Sequence, residues 1–263
     1  LRFRGAASLL PDASTHLFSS RIIAVSKGVR DFLARWEAVP EDLIELVPNA
    51  VDDEIFCPCT AEEKRTARNK LSIPDDAYVA GALGRLAREK NFAMLAELAV
   101  RHPGIIFVIA GSGPERDQIA ALASRLGVDS RLRLLGPILD RPLFYDALDA
   151  FILPSLYEGL PMVILEAMSS GVPIISSRLE GIAAVVAEGK EGLFAQPGDV
   201  ADFSRQLSLL KESPVFAGHL AQAARAKASN KFSASATARR IESIYRQELS
   251  IANANPADKD SSQ

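Results

Sequence analysis

The sequence has no apolar run approaching the roughly 18 residues that cross a bilayer as a helix, and no stretch patterned like a secretory leader. Those absences make a cytoplasmic setting the expectation, with peripheral contact at the inner face of a membrane left open. There is little excess of charge of either sign. Against 30 basic residues stand 33 acidic ones, and the net charge of −3 provides no electrostatic footprint for nucleic acid. Cysteine is limited to Cys57 and Cys59, separated by Pro58, which supports neither a disulfide framework nor a zinc site and fits a reducing compartment. Histidine is limited to His16, His102 and His219, none with a metal-like neighbour, so metal-independent chemistry without a cofactor is expected. His102, which precedes Pro103 at an expected helix end, occupies a place where a positive or dipolar group is comfortable. No segment repeats at a fixed period, which excludes a solenoid.

The chain does hold enough apolar residues, 48% of its 263, to bury a sizeable core in one large or two modest domains. From Tyr78 onward, apolar strands, glycine-bearing loops and amphipathic helices alternate. Strands are expected near 78–83, 105–110, 131–135, 150–154, 172–176 and 192–195. That alternation predicts an α/β fold with a doubly wound parallel sheet covered on both faces. Helices are expected at 61–71, from Asp199 to about Lys211, from Pro214 to Asn230, and from Ser233 or Ser235 through Leu249. Upstream, Arg21 to Ser26 reads as a strand, and Val29, Phe32, Leu33 and Trp36 mark one face of a helix. No upstream strands are available to complete a sheet around that pair, so the first fifty residues read as the tail of something larger. The last eleven residues, 253–263, are too polar to order themselves.

The stretch Phe151 to Ser177, FILPSLYEGLPMVILEAMSSGVPIISS, reads as strand, loop, helix and strand. Pro161 suits a first helical position and Gly171 a left-handed helix end. The loop then falls at the carboxyl end of the sheet, where open α/β folds bind ligands. It places Glu158 at the mouth of a site, with Glu166 inside the helix behind it and the free N–H groups near Leu160 and Met162 facing an anion.

Two carboxylates eight positions apart, joined through Gly-Leu-Pro and followed by Ala-Met, resemble the E-x7-E motif of retaining glycosyltransferases of the GT-B fold, group 1, family 4. Two further stretches resemble the same family. Gly84-Arg85-Leu86 with Glu89-Lys90-Asn91 is similar to its donor-phosphate loop, and Gly111-Ser112-Gly113-Pro114 to a turn lining its donor pocket. The resemblance covers about Arg21 to Leu249. It implies a Rossmann-like, nucleotide-sugar-binding C-terminal domain over 51–230, a remnant of the acceptor-side domain and linker over 1–50, and a crossover helix over 231–252. It also implies roles. Glu158, Arg85 and Lys90 would be catalytic. Gly84, Gly111, Ile138, Gly159, Leu160, Pro161, Met162 and Glu166 would bind the donor, with Ile138 at the base and Glu166 at the ribose. The implied reaction moves a sugar, with retention, from a nucleotide-diphosphate sugar to a glycan or lipid-linked acceptor.

The sequence departs from the family where relatives carry Gly-Gly-x-Pro-Glu. Here Glu180-Gly181-Ile182-Ala183-Ala184 stands, with alanine in place of proline and glutamate, which predicts a looser loop in which Gly181 still lets the backbone approach a donor. Two alternatives remain open on sequence. One is a nucleotide-sugar-binding module that does not catalyse, and the other a GT-B-type sugar-nucleotide epimerase.

Overall fold

The computed structural model describes residues 19–254, with side chains through Ser250. The chain divides into two compact units, one of residues 1–50 with 232–263 and one of Val51–Lys231.

In the first unit, β1 (Ile22–Ala24) and β2 (Ile44–Leu46) pair in parallel, Ile22 opposite Ile44, and α1 (Lys27–Trp36) joins them. The Ser26 side chain accepts from the Val29 N–H and so fixes the start of α1. The partner of the first strand therefore lies downstream, within the segment 1–50 expected to hold a domain remnant and linker. Ala24, Val39 and Ile44 form a small core with Leu33 packed against it. The helix face expected from Val29, Phe32, Leu33 and Trp36 is only half used. Val29 and Trp36 are 40% and 73% exposed, because two strands offer too little surface to cover both ends of the helix. The terminal helix α10 (Ala234–Ala254) belongs to this unit and is tied to it by ion pairs from Arg21 to Glu248 and Arg240 to Glu45. It runs past the expected end at residue 252, and the remainder of the expected disordered tail lies outside the described residues.

The second unit is a six-stranded parallel sheet. Its strands are β3 (Tyr78–Leu83), β4 (Ile105–Ala110), β5 (Leu132–Gly136), β6 (Ala150–Leu153), β7 (Ile174–Ser177) and β8 (Leu193–Ala195), in the order β5-β4-β3-β6-β7-β8. All six expected strands are present, displaced by one or two residues at some ends. β3, β4 and β6 are buried on both faces, as near-continuous apolar runs such as IIFVIA require. The strand order reverses between β3 and β6, so the crevice of the sheet opens past Leu83 and Leu153.

The helices that follow are α2 (Ala61–Lys70), α3 (Met94–Arg101), α4 (Arg116–Arg125), α5 (Arg141–Asp146), α6 (Met162–Ser169), α7 (Glu180–Ala183), α8 (Val200–Glu212) and α9 (Pro214–Lys227). Thr60 and Glu63 form a reciprocal capping box at the start of α2. At the amino-terminal edge of the sheet, Asp149 accepts from Lys64 Nζ, Arg68 Nη2 and the Val79 N–H, each at 2.7 Å, and so locks α2 to β3 and β6. The loop Asp53–Phe56 is held against α6, with Arg225 donating to Asp53 O, Phe56 O and Ser169 O. His102 caps the end of α3, as expected. It contacts Ser204 Oγ at 2.8 Å, and burial together with Lys211 and Arg101 pushes its imidazole below the ordinary value, so its positive form is disfavoured.

Candidate functional site

The loops past β3, β4, β5 and β6 are stitched to one another. The Gly84 N–H donates to Ala110 O and the Gly111 N–H to Gly136 O, at 3.0 and 2.8 Å. Leu86 N–H reaches Ser112 O, and Leu156 N–H reaches Glu89 O at 2.7 Å. Gly111 has φ +134°, and a Cβ there would meet Gly84 O at 1.8 Å, so the packing of these two loops requires glycine.

This stitching brings Lys90 and Glu158 together. Lys90 Nζ lies 2.5 Å from Glu158 Oε1, and Ser155 Oγ donates to the same oxygen at 2.7 Å. Ser155 is fully buried and Glu158 nearly so, with 9% of its side chain exposed. Asn91 takes a left-handed conformation, φ 51°, that ends the short 3-10 turn Arg88–Lys90 and sets Lys90 beside the crevice. Arg85, between the two stitched residues Gly84 and Leu86, is exposed, and its guanidinium has no hydrogen bond or ion pair among the described residues. One cation of the expected pair is therefore engaged by Glu158 and the other is free.

Helix α6 begins at Met162, with Pro161 extended in front of it, φ −75° and ψ 125°, as the cap rather than the first helical residue. Among the described residues no backbone acceptor takes the N–H groups of Leu160 or Met162. Gly159 is exposed, and Gly171, φ +68°, ends the helix as expected.

Glu166 belongs to a second cluster and touches neither Lys90 nor Glu158. It is 3% exposed, and its Oε2 takes Arg141 Nη2 at 2.5 Å and the Tyr145 hydroxyl at 2.9 Å. Burial raises its carboxyl above the ordinary range, and Arg141 and Tyr145 oppose that shift. The Tyr145 phenol is pushed far up by burial and by the adjoining carboxylate. Ile138 lies half-buried between β5 and α5, three residues before Arg141, while Leu139 beside it is fully exposed.

The sequence reading missed Ser155, Arg141 and Tyr145. Asp140 before Arg141-Pro142 does carry a helix-start signal, since its side chain accepts from the Leu143 N–H, and Arg141 and Tyr145 then share a face at i and i+4. Nothing in the sequence pairs that face with Glu166. The segment at Gly181 is corrected. It is the short helix α7, and a Cβ on Gly181 would lie 1.6 Å from Gly159 O. The close approach that glycine permits is taken by the protein's own motif loop, which leaves the segment packed rather than loose.

A cavity of about 210 Å³ adjoins the crevice, lined by Ala87, Arg88, Asn91, Glu115, Gln118 and Leu156 among others. A larger one, about 350 Å³, opens at the opposite edge of the sheet beside Cys59, Lys64, Asp146, Asp149 and Ser170. No group of three or more potential metal ligands occurs among the described residues. No helix among them is long and apolar enough to cross a membrane.

Strand order and loop chemistry define a Rossmann-like α/β domain whose loops at the reversal of the sheet carry a lysine, the part-buried Glu158 and open backbone donors, with the buried Glu166 in the helix that follows. The sequence model described as glycosyl transferases group 1 matches residues 63–229, more than half of the chain, which therefore belongs to that family. The lipopolysaccharide core biosynthesis glycosyltransferase LpsE of Rhizobium meliloti is 35% identical over 140 residues, 53% of this chain and 41% of that protein. A D-inositol 3-phosphate glycosyltransferase of Corynebacterium aurimucosum is 29% identical over 242 residues, 88% of this chain and 57% of that protein. The chain thus spans about half the length of the curated relatives it matches. Among solved structures, Anabaena HepE in complex with UDP and glucose superposes with a TM-score of 0.83 at 22% identity, covering 91% of this chain and 67% of that one. That likeness establishes the fold, of GT-B type.

Proposed function

We propose that this chain is the donor-binding part, with some acceptor-side structure, of a retaining family 4 glycosyltransferase that moves a sugar from a nucleotide-diphosphate sugar without a metal or cofactor. The contact of Lys90 with Glu158 at the reversal of the sheet carries this reading. A leaving diphosphate concentrates negative charge, and a metal-free site must meet it with cations and helix N-termini. Arg85 is free to supply a planar fork for two oxygens, and Lys90 a compact charge. The open N–H groups of Leu160 and Met162 add to them. The UDP and glucose held by the Anabaena relative support a nucleotide-sugar donor.

On this reading Glu166 accepts from the ribose, the backbone past Gly136 and Ile138 meets the base, and Gly111, by letting the Gly84 loop pack against it, sets the backbone that faces the donor. Pro161 fixes the direction in which α6 leaves the loop. Glu158, restrained by Ser155 and Lys90, orients the sugar and stabilises the positive charge that develops on its ring. The departing phosphate and the acceptor hydroxyl use the same face, so the phosphate assists deprotonation of the acceptor. The relatives' names place them in lipopolysaccharide core assembly and in transfer to D-inositol 3-phosphate, which supports a glycan or polyol-type acceptor.

Calorimetric titration of nucleoside diphosphates and their sugars against the wild type, Arg85→Ala and Glu166→Ala tests the reading. Arg85→Ala is expected to lose phosphate-dependent affinity by about tenfold, the scale of one charge-assisted hydrogen bond. Glu166→Ala is expected to lose the ribose-dependent part. A wild-type protein that binds none of these ligands would remove the assignment.

A further inference from the structure

Glu166 is a carboxylate on the inside of a helix, and its usefulness to a ligand depends on which oxygen it presents and whether it is charged. Both of its protein contacts fall on one oxygen. Arg141 Nη2 and the Tyr145 hydroxyl reach Oε2, and no hydrogen bond from the protein reaches Oε1 among the described residues. Arg141 is itself firmly placed. Asp140 caps α5, Pro142 follows, and Arg141 is therefore the first residue of the helix. Its Nε is buried without an acceptor, although more than a third of the side chain is exposed. Native proteins rarely leave such a donor unsatisfied.

We propose that Arg141 is a positioning residue for the nucleoside end of the donor site: with Tyr145 it holds Oε2 of Glu166, which leaves Oε1 as the oxygen that meets a ribose. The proposal rests on the donor-site reading above and adds to it a residue outside the recognised motifs. Two donors on one oxygen restrict the carboxylate to a single orientation, the kind of support that a precise contact requires. The guanidinium also acts on charge. A buried carboxyl tends to take up a proton, and the adjacent cation opposes this, which keeps a charged acceptor where a neutral one would bind about half as strongly. The charged and titratable groups facing Glu166 are Arg141 and Tyr145, both on α5. No other element packed against it contributes one among the described residues.

The test is calorimetric titration of the full chain with UDP, GDP, ADP and CDP and with the 2′,3′-dideoxy form of whichever binds. It is run on the wild type, Arg141→Met, Arg141→Lys, Glu166→Gln and the Glu166→Gln/Arg141→Met double variant. Arg141→Met should weaken the ribose form by about tenfold and the dideoxy form by less than about twofold, the contrast expected when one charge-assisted contact to the ribose is lost. Arg141→Lys should recover part of the difference. In the Glu166→Gln background, Arg141→Met should change the ribose preference no further. As pH falls, Arg141→Met should lose its remaining ribose preference at a higher pH than the wild type. Equal weakening of both ligand forms would mean that Arg141 only supports the fold and would overturn the proposal. So would an unchanged ribose preference in Arg141→Met while Glu166→Gln abolishes it, and then the donor-site reading survives alone. A wild type without ribose preference, or a Glu166→Gln variant that keeps it, removes the ribose role of Glu166 and the positioning role with it.

Discussion

Glu158 and Glu166 illustrate how the same side-chain charge is treated differently eight positions apart in one strand-to-helix segment. Glu158 is partnered by a lysine and a serine hydroxyl on one carboxylate oxygen. Glu166 is more deeply placed, and desolvation dominates, raising its carboxyl above the ordinary range near 4.3 despite Arg141. The raised value has a definite consequence for stability. A folded state that holds the proton more tightly than the unfolded chain gains stability at low pH, and that gain is lost as pH rises through the folded value. Melting temperatures of the wild type and Glu166→Gln, measured between pH 4 and pH 8, should therefore separate progressively. The wild type should lose ground relative to the variant as pH rises. A difference that is constant, or that grows in favour of the wild type, would contradict the shift.

At the level of elements, the two edges of the sheet serve different ends. Among the described residues, the carboxyl edge has glycines, an arginine side chain without a protein partner and N–H groups without backbone acceptors, an arrangement that a ligand can complete. At the amino edge the charged cluster around Asp149 is satisfied from within the protein. Arg68, with only 6% of its side chain exposed, is satisfied by Asp149, Ala147 O and Asp75 O, and Lys64 adds a second cation to Asp149. Removing Asp149 would leave a buried guanidinium without its carboxylate and strip the Val79 N–H of its acceptor. Asp149→Ala should therefore lose about 3–5 kcal/mol in urea unfolding. Replacing both charges together, with Arg68→Met and Asp149→Leu, should lose less. A single variant within about 0.5 kcal/mol of the wild type, the range of an ordinary surface change, would show that the cluster contributes little.

Across the whole molecule, the unit of Val51–Lys231 contains the six-stranded sheet and helices that cover it, whereas the described part of the other unit offers two strands of three residues and two helices. A chain comprising 51–231 should unfold as one cooperative thermal transition, since its sheet, helices and core are all present. The segment 19–50 alone should show none, because a two-stranded sheet does not stabilise itself in water. Calorimetry on the two pieces checks both expectations. A cooperative transition from the short piece, or its absence from the long one, would contradict them.

Local pattern alone was enough for the alternation of strands and helices, for the capped start at Asp199, for the glycine end of α6 at Gly171, and for the placing of Glu158 in a loop at the carboxyl edge. Each of these depends on interactions within a few residues, and such interactions leave a mark in composition and spacing. The pairing of β1 with β2, the contact of Lys90 with Glu158 across 68 positions and the bond from Tyr145 to Glu166 across 21 were settled only by the tertiary structure. So was the filling of the space beside Gly181 by Gly159. In every such case the decisive term is the meeting of distant segments, and a linear pattern carries no record of which surfaces the folded chain brings face to face.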